Sequence, residues 1–136
     1  MNRNVIVTGS GQGIGYAIAQ AFDQQGDRVF IFDMSKDAAE AAAQSLEKGV
    51  AYQVDVTDET TVKNAIKDVT NQYGAIDVLV NNAGIQYISK IEDFPLDKWN
   101  QVIGVIQTGT FLMTKHVLPS MKQQQQGRII TISSAH

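Results

Sequence analysis

The sequence predicts an α/β chain: a doubly wound parallel sheet of five strands in the order 3-2-1-4-5, with helices on both faces. Three observations carry that reading. Short β-branched runs recur along the chain, and the first is apolar enough to suit a strand buried on both faces. Between the runs lie stretches whose apolar residues repeat at helical spacing, most of them closed by a glycine. The first run passes directly into a glycine-rich turn that opens a helix. Strands joined by helical crossovers pair in parallel, and right-handed crossovers restrict the topology to the doubly wound order.

Taken in order, Val5-Ile6-Val7 is the first strand. Ile14, Ala17, Ile18, Ala21 and Phe22 form a helical stripe between Ile14 and Gln25, and Gly26 supplies its stop. Val29 to Phe32 is the second strand. The stretch SKDAAEAAAQSLEKG is an alanine-rich helix, with Ser35 as its N-cap and Gly49 as its terminator. Val50 to Val54 is a third, weaker strand. Asp58 and Glu59 then stand where a helix dipole favours anions; Val62, Ala65, Ile66 and Val69 continue that helix to Gly74. Val78 to Val80 is the fourth strand. A long helical pattern runs from about Leu96 to Gln124, its apolar stripe being Trp99, Val102, Ile103, Ile106, Thr110, Met113, Val117 and Met121. Pro119 lies inside it and predicts a kink or an end near Val117. Gln123 to Gln126 reads as a solvated helix end, and GRIITIS is the fifth strand.

Composition narrows the class. With 43% hydrophobic and 18% charged residues the chain is ordinary globular material, and its length predicts one domain spanning residues 1–136. A net charge of -3 argues against a nucleic-acid partner, since a phosphate-neutralising surface carries a basic excess. No apolar run approaches the length of a membrane span, so no membrane partner is expected. MNRNVIVTG enters a strand pattern at once, so a signal peptide is not expected and a cytoplasmic location is. There is no cysteine, and His116 and His136 stand too far apart for a convincing zinc site, so no metal is expected.

The chemistry concentrates at strand ends. TGSGQGIG, Thr8 to Gly15, puts Gly9, Gly13 and Gly15 in a G-x-x-x-G-x-G spacing, with Gln12 and Ile14 between them. Backbone N–H groups of such a turn, together with the following helix N-terminus, form a nest for a pyrophosphate. Asp33 closes the second strand, where a carboxylate accepts both ribose hydroxyls of an adenosine and repels a 2′-phosphate. No arginine follows it, which favours NAD over NADP. Asp55, ending the third strand beside Val56, either reaches the adenine edge or is a surface-turn carboxylate. In VNNAG, Val80 to Gly84, the small residues Ala83 and Gly84 let a ribose lie against backbone, and the Asn82 amide can tie neighbouring strands. The fifth strand runs out into two serines, an alanine and a histidine.

Together TGSGQGIG, Asp33, NNAG and the serine pair resemble the short-chain dehydrogenase/reductase family, and the likeness covers the whole chain. The segments NAGIQ, IEDFPLDKW, VLPSM and GRIITISSAH resemble its D-3-hydroxybutyrate dehydrogenase branch. The resemblance implies a Rossmann-type, NAD-dependent oxidoreductase that moves a hydride between the nicotinamide and a small hydroxy acid. It implies cofactor contacts from Gly9, Gln12, Gly13, Ile14, Gly15, Asp33, Asp55, Val56, Asn82, Ala83 and Gly84. It assigns Ser134 to hydrogen-bond the reacting oxygen as the catalytic serine, and Gln86 and His136 to the substrate carboxylate. An amide donor and an imidazole suit an anionic oxygen. A homo-oligomer is also implied.

The pattern departs from the family in two places. Ile106 stands where the family carries an asparagine of a proton relay, and Ile106 can neither donate nor accept. The family's acid/base tyrosine and its lysine follow the catalytic serine, whereas Tyr16, Tyr52, Tyr73 and Tyr87 all precede Ser134 and none begins a Y-x-x-x-K. The sequence therefore reads as a domain incomplete at its C-terminus, truncated after the fifth strand, and inactive and self-associating on its own. A non-catalytic nucleotide-binding or interaction module on the same fold stands as the alternative. A methyltransferase, whose sheet also opens on a glycine turn, is disfavoured by NNAG and ISSAH.

Overall fold

The computed structural model describes residues 2–85 and 87–133 of the chain. Five strands, β1 (Asn4–Thr8), β2 (Arg28–Asp33), β3 (Gly49–Gln53), β4 (Val78–Asn81) and β5 (Arg128–Thr131), form one parallel sheet. Their order is β3-β2-β1-β4-β5, as the crossover rule requires. The helices are α1 (Gly13–Gln24), α2 (Lys36–Gln44), α3 (Glu59–Tyr73), α4 (Leu96–Ile103) and α5 (Gly109–Gln124). A short 3-10 turn covers Ile91–Asp93, and a π-turn, Gly104–Thr108, joins α4 to α5.

β1 lies at the centre with β2 on one side and β4 on the other, and all five of its residues are buried. Its apolar side chains divide by parity, because successive strand residues point to opposite faces. Val5 and Val7, with Val29 and Ile31 of β2, pack under the alanines of α2 and Ala19 of α1. Ile6, Phe30 and Phe32 pack instead against Val62, Ile66 and Val69 of α3 and Leu112, Met113 and Val117 of α5. Small helix residues thus meet branched strand residues on one face, and the two phenylalanines are kept for the face with the longer helices.

The helix ends follow local chemistry. Ser35 Oγ accepts the Ala38 N–H at 3.2 Å, capping α2, and Asp58 Oδ1 accepts from Thr60 N–H at 3.1 Å, capping α3. Gly26 and Gly74 end their helices with positive φ of 89° and 94°. Gly49 does not terminate α2, as the sequence led us to expect. That helix stops at Gln44, where the Ser45 hydroxyl donates to the Ala42 carbonyl at 2.7 Å, and Gly49 begins β3. A side chain at Gly49 would sit 2.4 Å from the Ala43 carbonyl oxygen, so the glycine allows β3 to pass close to α2.

The long helix differs from the expected stripe. Pro119 lies within α5, which neither ends near Val117 nor stops before Gln124. The regular winding breaks at the π-turn instead, whose extra residue turns the preceding helix relative to the following one. Val105, Gly109, Met113, Val117 and Met121, each four residues from the next, form the inward row, while Ile106 is 46% exposed and Trp99 52% exposed. Of the glutamine patch, Gln124 is partly buried and donates to the Ile76 carbonyl at 3.2 Å, fastening the end of α5 to the approach to β4. Among the described residues no helix is long and apolar enough to cross a membrane.

Two aspartates lock the N-terminal edge of the sheet. Asp77 accepts the Asn4 N–H at 2.8 Å, pinning β4 to β1. Asp27, fully buried, accepts from the Arg3 backbone N–H (3.1 Å), Nε (3.2 Å) and Nη2 (2.8 Å), pinning β2 to β1. Burial opposes the Asp27 charge, but the Arg3 hydrogen bonds and positive charge overcome it and hold the carboxyl below its ordinary pKa. A depressed folded pKa contributes stability that is complete above the unfolded value and lost as pH falls through the folded one. Arg3→Ala is expected to lower unfolding free energy by about 2 kcal/mol at neutral pH. The gap between parent and variant should shrink once pH falls below about 4. Urea unfolding across that range measures it; a gap that stays constant on acidification would contradict the pairing.

Candidate functional site

The ends of β1, β2 and β4 open into a cleft of about 410 Å³. The β1 end builds its floor. Gly9 takes a positive φ of 62°, and a side chain there would lie 2.8 Å from the Ala83 Cα. Gly15, on the first turn of α1, leaves room for the Gly9 carbonyl oxygen, which would stand 2.2 Å from a Cβ. Between them Ser10 is fully buried and donates to the Val7 carbonyl at 2.6 Å, folding the turn back on its own strand.

Thr8 ties that turn to the loop after β4. Its hydroxyl oxygen accepts the N–H groups of Asn82 (3.0 Å) and Ala83 (2.9 Å). The Asn82 amide nitrogen in turn donates to the Gly9 carbonyl at 3.2 Å. Side-chain bonds therefore hold together two segments more than seventy residues apart, where strand pairing has already ended.

The cleft's other end is set by Asp33, whose Oδ2 accepts the Gly11 N–H and whose Oδ1 accepts the Ser35 N–H, both at 2.9 Å. Each carboxylate oxygen keeps a second lone pair for a donor in the cleft. The N-terminus of α1 faces the same space. Its N-cap, Gln12, makes no side-chain cap bond, and no acidic residue occupies the first turn, in contrast to α2 and α3. The first-turn N–H groups thus retain donors for an anion.

Of the sequence-derived candidates, Gly9, Gln12, Ile14, Gly15, Asp33, Val56, Asn82, Ala83 and Gly84 line this one cleft. Gly13 and Asp55 do not. Gly13 has a positive φ of 64° and shapes the turn from outside. Asp55 turns its Oδ1 to the Thr57 N–H (3.0 Å) and hydroxyl (2.7 Å), the local surface turn that stood as its other reading. Gln86, Ser134 and His136 lie outside the described residues. The structure adds Phe32, Met34, Val54, Ile85 and Val105 to the lining. The first three flank known candidates and could have been found by strand-end position; Val105 enters only because the π-turn turns it inward. Ile106 beside it faces out, and its Cγ1 lies 3.9 Å from where a Gly84 side chain would begin. Among the described residues no group of three histidine, cysteine, aspartate or glutamate side chains could hold a metal ion.

The comparisons with known proteins agree with this architecture. A family model described as short chain dehydrogenase matches residues 3–136. The chain is 45% identical over 135 residues to the uncharacterized oxidoreductase YxjF of Bacillus subtilis, covering 96% of this chain and 52% of that protein. It is 36% identical over 138 residues to a D-beta-hydroxybutyrate dehydrogenase of Cupriavidus necator, covering 98% of this chain and 54% of that one. It is 37% identical over 136 residues to the 5-keto-D-gluconate 5-reductase of Escherichia coli K12, with 97% and 54% covered. A solved short-chain dehydrogenase from Streptomyces avermitilis superposes with a TM-score of 0.92 at 30% identity, over 98% of this chain and 50% of that one. The chain spans about half the length of the curated relatives it matches. In sequence and in fold, the chain belongs to the short-chain dehydrogenase family of oxidoreductases.

Proposed function

We propose that residues 1–136 form a single dinucleotide-binding domain. It would belong to an NAD-dependent oxidoreductase acting on a small hydroxy acid of the 3-hydroxybutyrate type. The observation that carries the cofactor is one cleft holding, at one end, a glycine turn with the free N–H groups of α1, and at the other the Asp33 carboxylate. Such a pairing suits a diphosphate beside a ribose. Asp33 with Met34 and Ser35 after it offers a 2′-phosphate repulsion and no arginine clamp, which supports NAD rather than NADP.

In this reading Gly9, Gln12, Gly13, Ile14 and Gly15 serve the diphosphate, while Asp33 and Val56 serve the adenosine. Asn82, Ala83 and Gly84 serve the second ribose. The bound nicotinamide would supply the hydride acceptor. The protein's share is to orient substrate: Ser134 hydrogen-bonds the reacting oxygen, and Gln86 and His136 hold the carboxylate. The substrate class draws on the resemblance of NAGIQ and ISSAH, and on relatives that include D-beta-hydroxybutyrate dehydrogenases. A cytoplasmic homo-oligomer acting on a small molecule, with neither nucleic acid nor membrane as partner, completes the proposal.

A second reading, a nucleotide-binding module without catalysis, is favoured by Ile106, an apolar side chain where the family carries a relay asparagine. The two readings separate in the intact protein. Titration with NADH should quench or enhance nicotinamide fluorescence in both. NAD reduction with D-3-hydroxybutyrate is expected only of the enzyme; binding without turnover of any hydroxy acid would select the module. Failure to bind NADH would remove both. Asp33→Asn is expected to weaken NADH about tenfold while weakening NADPH far less, since one charge-assisted contact and one repulsion go together. Equal losses for the two cofactors would place Asp33 outside the ribose contact.

A further inference from the structure

The π-turn between α4 and α5 brings two glycines to one side of the helix. Gly109 N–H donates to the Gly104 carbonyl, five residues back. In an α-helix such residues point apart by about 140°, whereas the wider π-turn brings them toward the same side. Both then adjoin the loop that follows β3. A side chain at Gly104 would stand 3.8 Å from Thr57 Cγ2, an ordinary contact. One at Gly109 would stand 2.6 Å from Val56 Cγ2 and 3.0 Å from Val56 Cβ, closer than packed atoms allow.

Gly109 has helical dihedrals, φ -60° and ψ -46°, so an alanine there meets no backbone strain. The three atoms nearest to such a side chain all belong to Val56. That residue is 5% exposed, and together with Asp33, Met34 and Val54 it lines the cleft on the Asp33 side. The helix cannot retreat, because Leu112, Met113 and Val117 fix it against β1, β2 and α3. An added methyl group must therefore move Val56.

We propose that Gly109 is a positioning residue for the adenosine end of the cleft, its missing side chain setting where Val56 stands as the apolar wall beside an adenine. The inference rests on the dinucleotide reading above and adds a residue of the long helix to it. Its ligand class is any adenosine nucleotide that reaches Asp33, with or without the nicotinamide half.

The test is calorimetric binding of ADP-ribose to the intact protein and to Gly109→Ala, Val56→Ala and the double variant. Gly109→Ala is expected to weaken ADP-ribose about tenfold, the scale of an overpacked contact. The double variant is expected to bind more tightly than Gly109→Ala alone, because the alanine at 56 vacates the space that the new methyl needs. A purely structural role would lower the melting temperature and leave the ADP-ribose Kd unchanged; that result overturns the proposal. So do losses that simply add in the double variant. Should Gly109→Ala fail to fold, recovery of folding and binding in the double variant supports the link, and no recovery refutes it. If the parent protein itself does not bind ADP-ribose, the dinucleotide reading falls and takes the inference with it; if the parent binds and Gly109→Ala binds equally, only the inference falls.

Discussion

The Thr8 hydroxyl is the joint on which the cleft depends. It stands at the last residue of the central strand, where ladder hydrogen bonding stops and the chain must diverge. Two backbone N–H groups of the Asn82–Ala83 loop converge on its oxygen, and the Asn82 side chain returns a bond to Gly9. Without an acceptor there, two donors would be left facing a largely buried strand end, at a desolvation cost of about 1–3 kcal/mol each. The bonds therefore fix the distance between the glycine turn and the β4 loop. The closeness that results is what excludes a side chain at Gly9 and at Gly15.

The position of this joint follows from topology. From β1 the chain crosses by α1 to β2 and then β3, on one side; α3 then returns it to β4 on the other. Loops leaving β1 and β4 in opposite directions open a crevice at the carboxyl ends of the strands. The two faces of the sheet are not equivalent. The alanines of α2 bring it close to β2 and β3, while α3 and α5 stand off on phenylalanine, isoleucine and methionine. The close face carries α1, whose N-terminus opens on the cleft, and the thicker face supplies the cleft's apolar side through Val56 and Val105.

Much of this was legible in the residues. The order of the strands follows from helical crossovers, while the Ser35 cap, the acidic start of α3 at Asp58 and the glycine turn rest on local chemistry: a side-chain oxygen or an anion at a helix start, and positive φ at Gly9 and Gly13. Other features were not. Gly49 looks like a helix stop in the sequence because glycine serves both to end helices and to admit close packing, and only the neighbouring Ala43 carbonyl shows which applies. Ile106 and Val105 exchange roles because a helical period of 3.6 cannot register a single wider turn. Asp55 lies just past β3 where Asp33 ends β2, and its Oδ1 turns to Thr57 two residues on, a contact between near neighbours that position alone does not rank.

The sequence by itself determined the strands, the helices and the glycine turn at the start of α1, because those depend on interactions within one strand, one turn or one helix, and the crossover rule then orders the strands. Tertiary structure decided which residues share the cleft. Asp33 meets the Gly11 N–H across two strands, and Thr8 meets Asn82 across more than seventy residues. Val56 meets the long helix at Gly109. Each of these is a contact between segments whose separation in the chain carries no periodic signal, and each is set by how closely two packed surfaces can approach before their atoms collide.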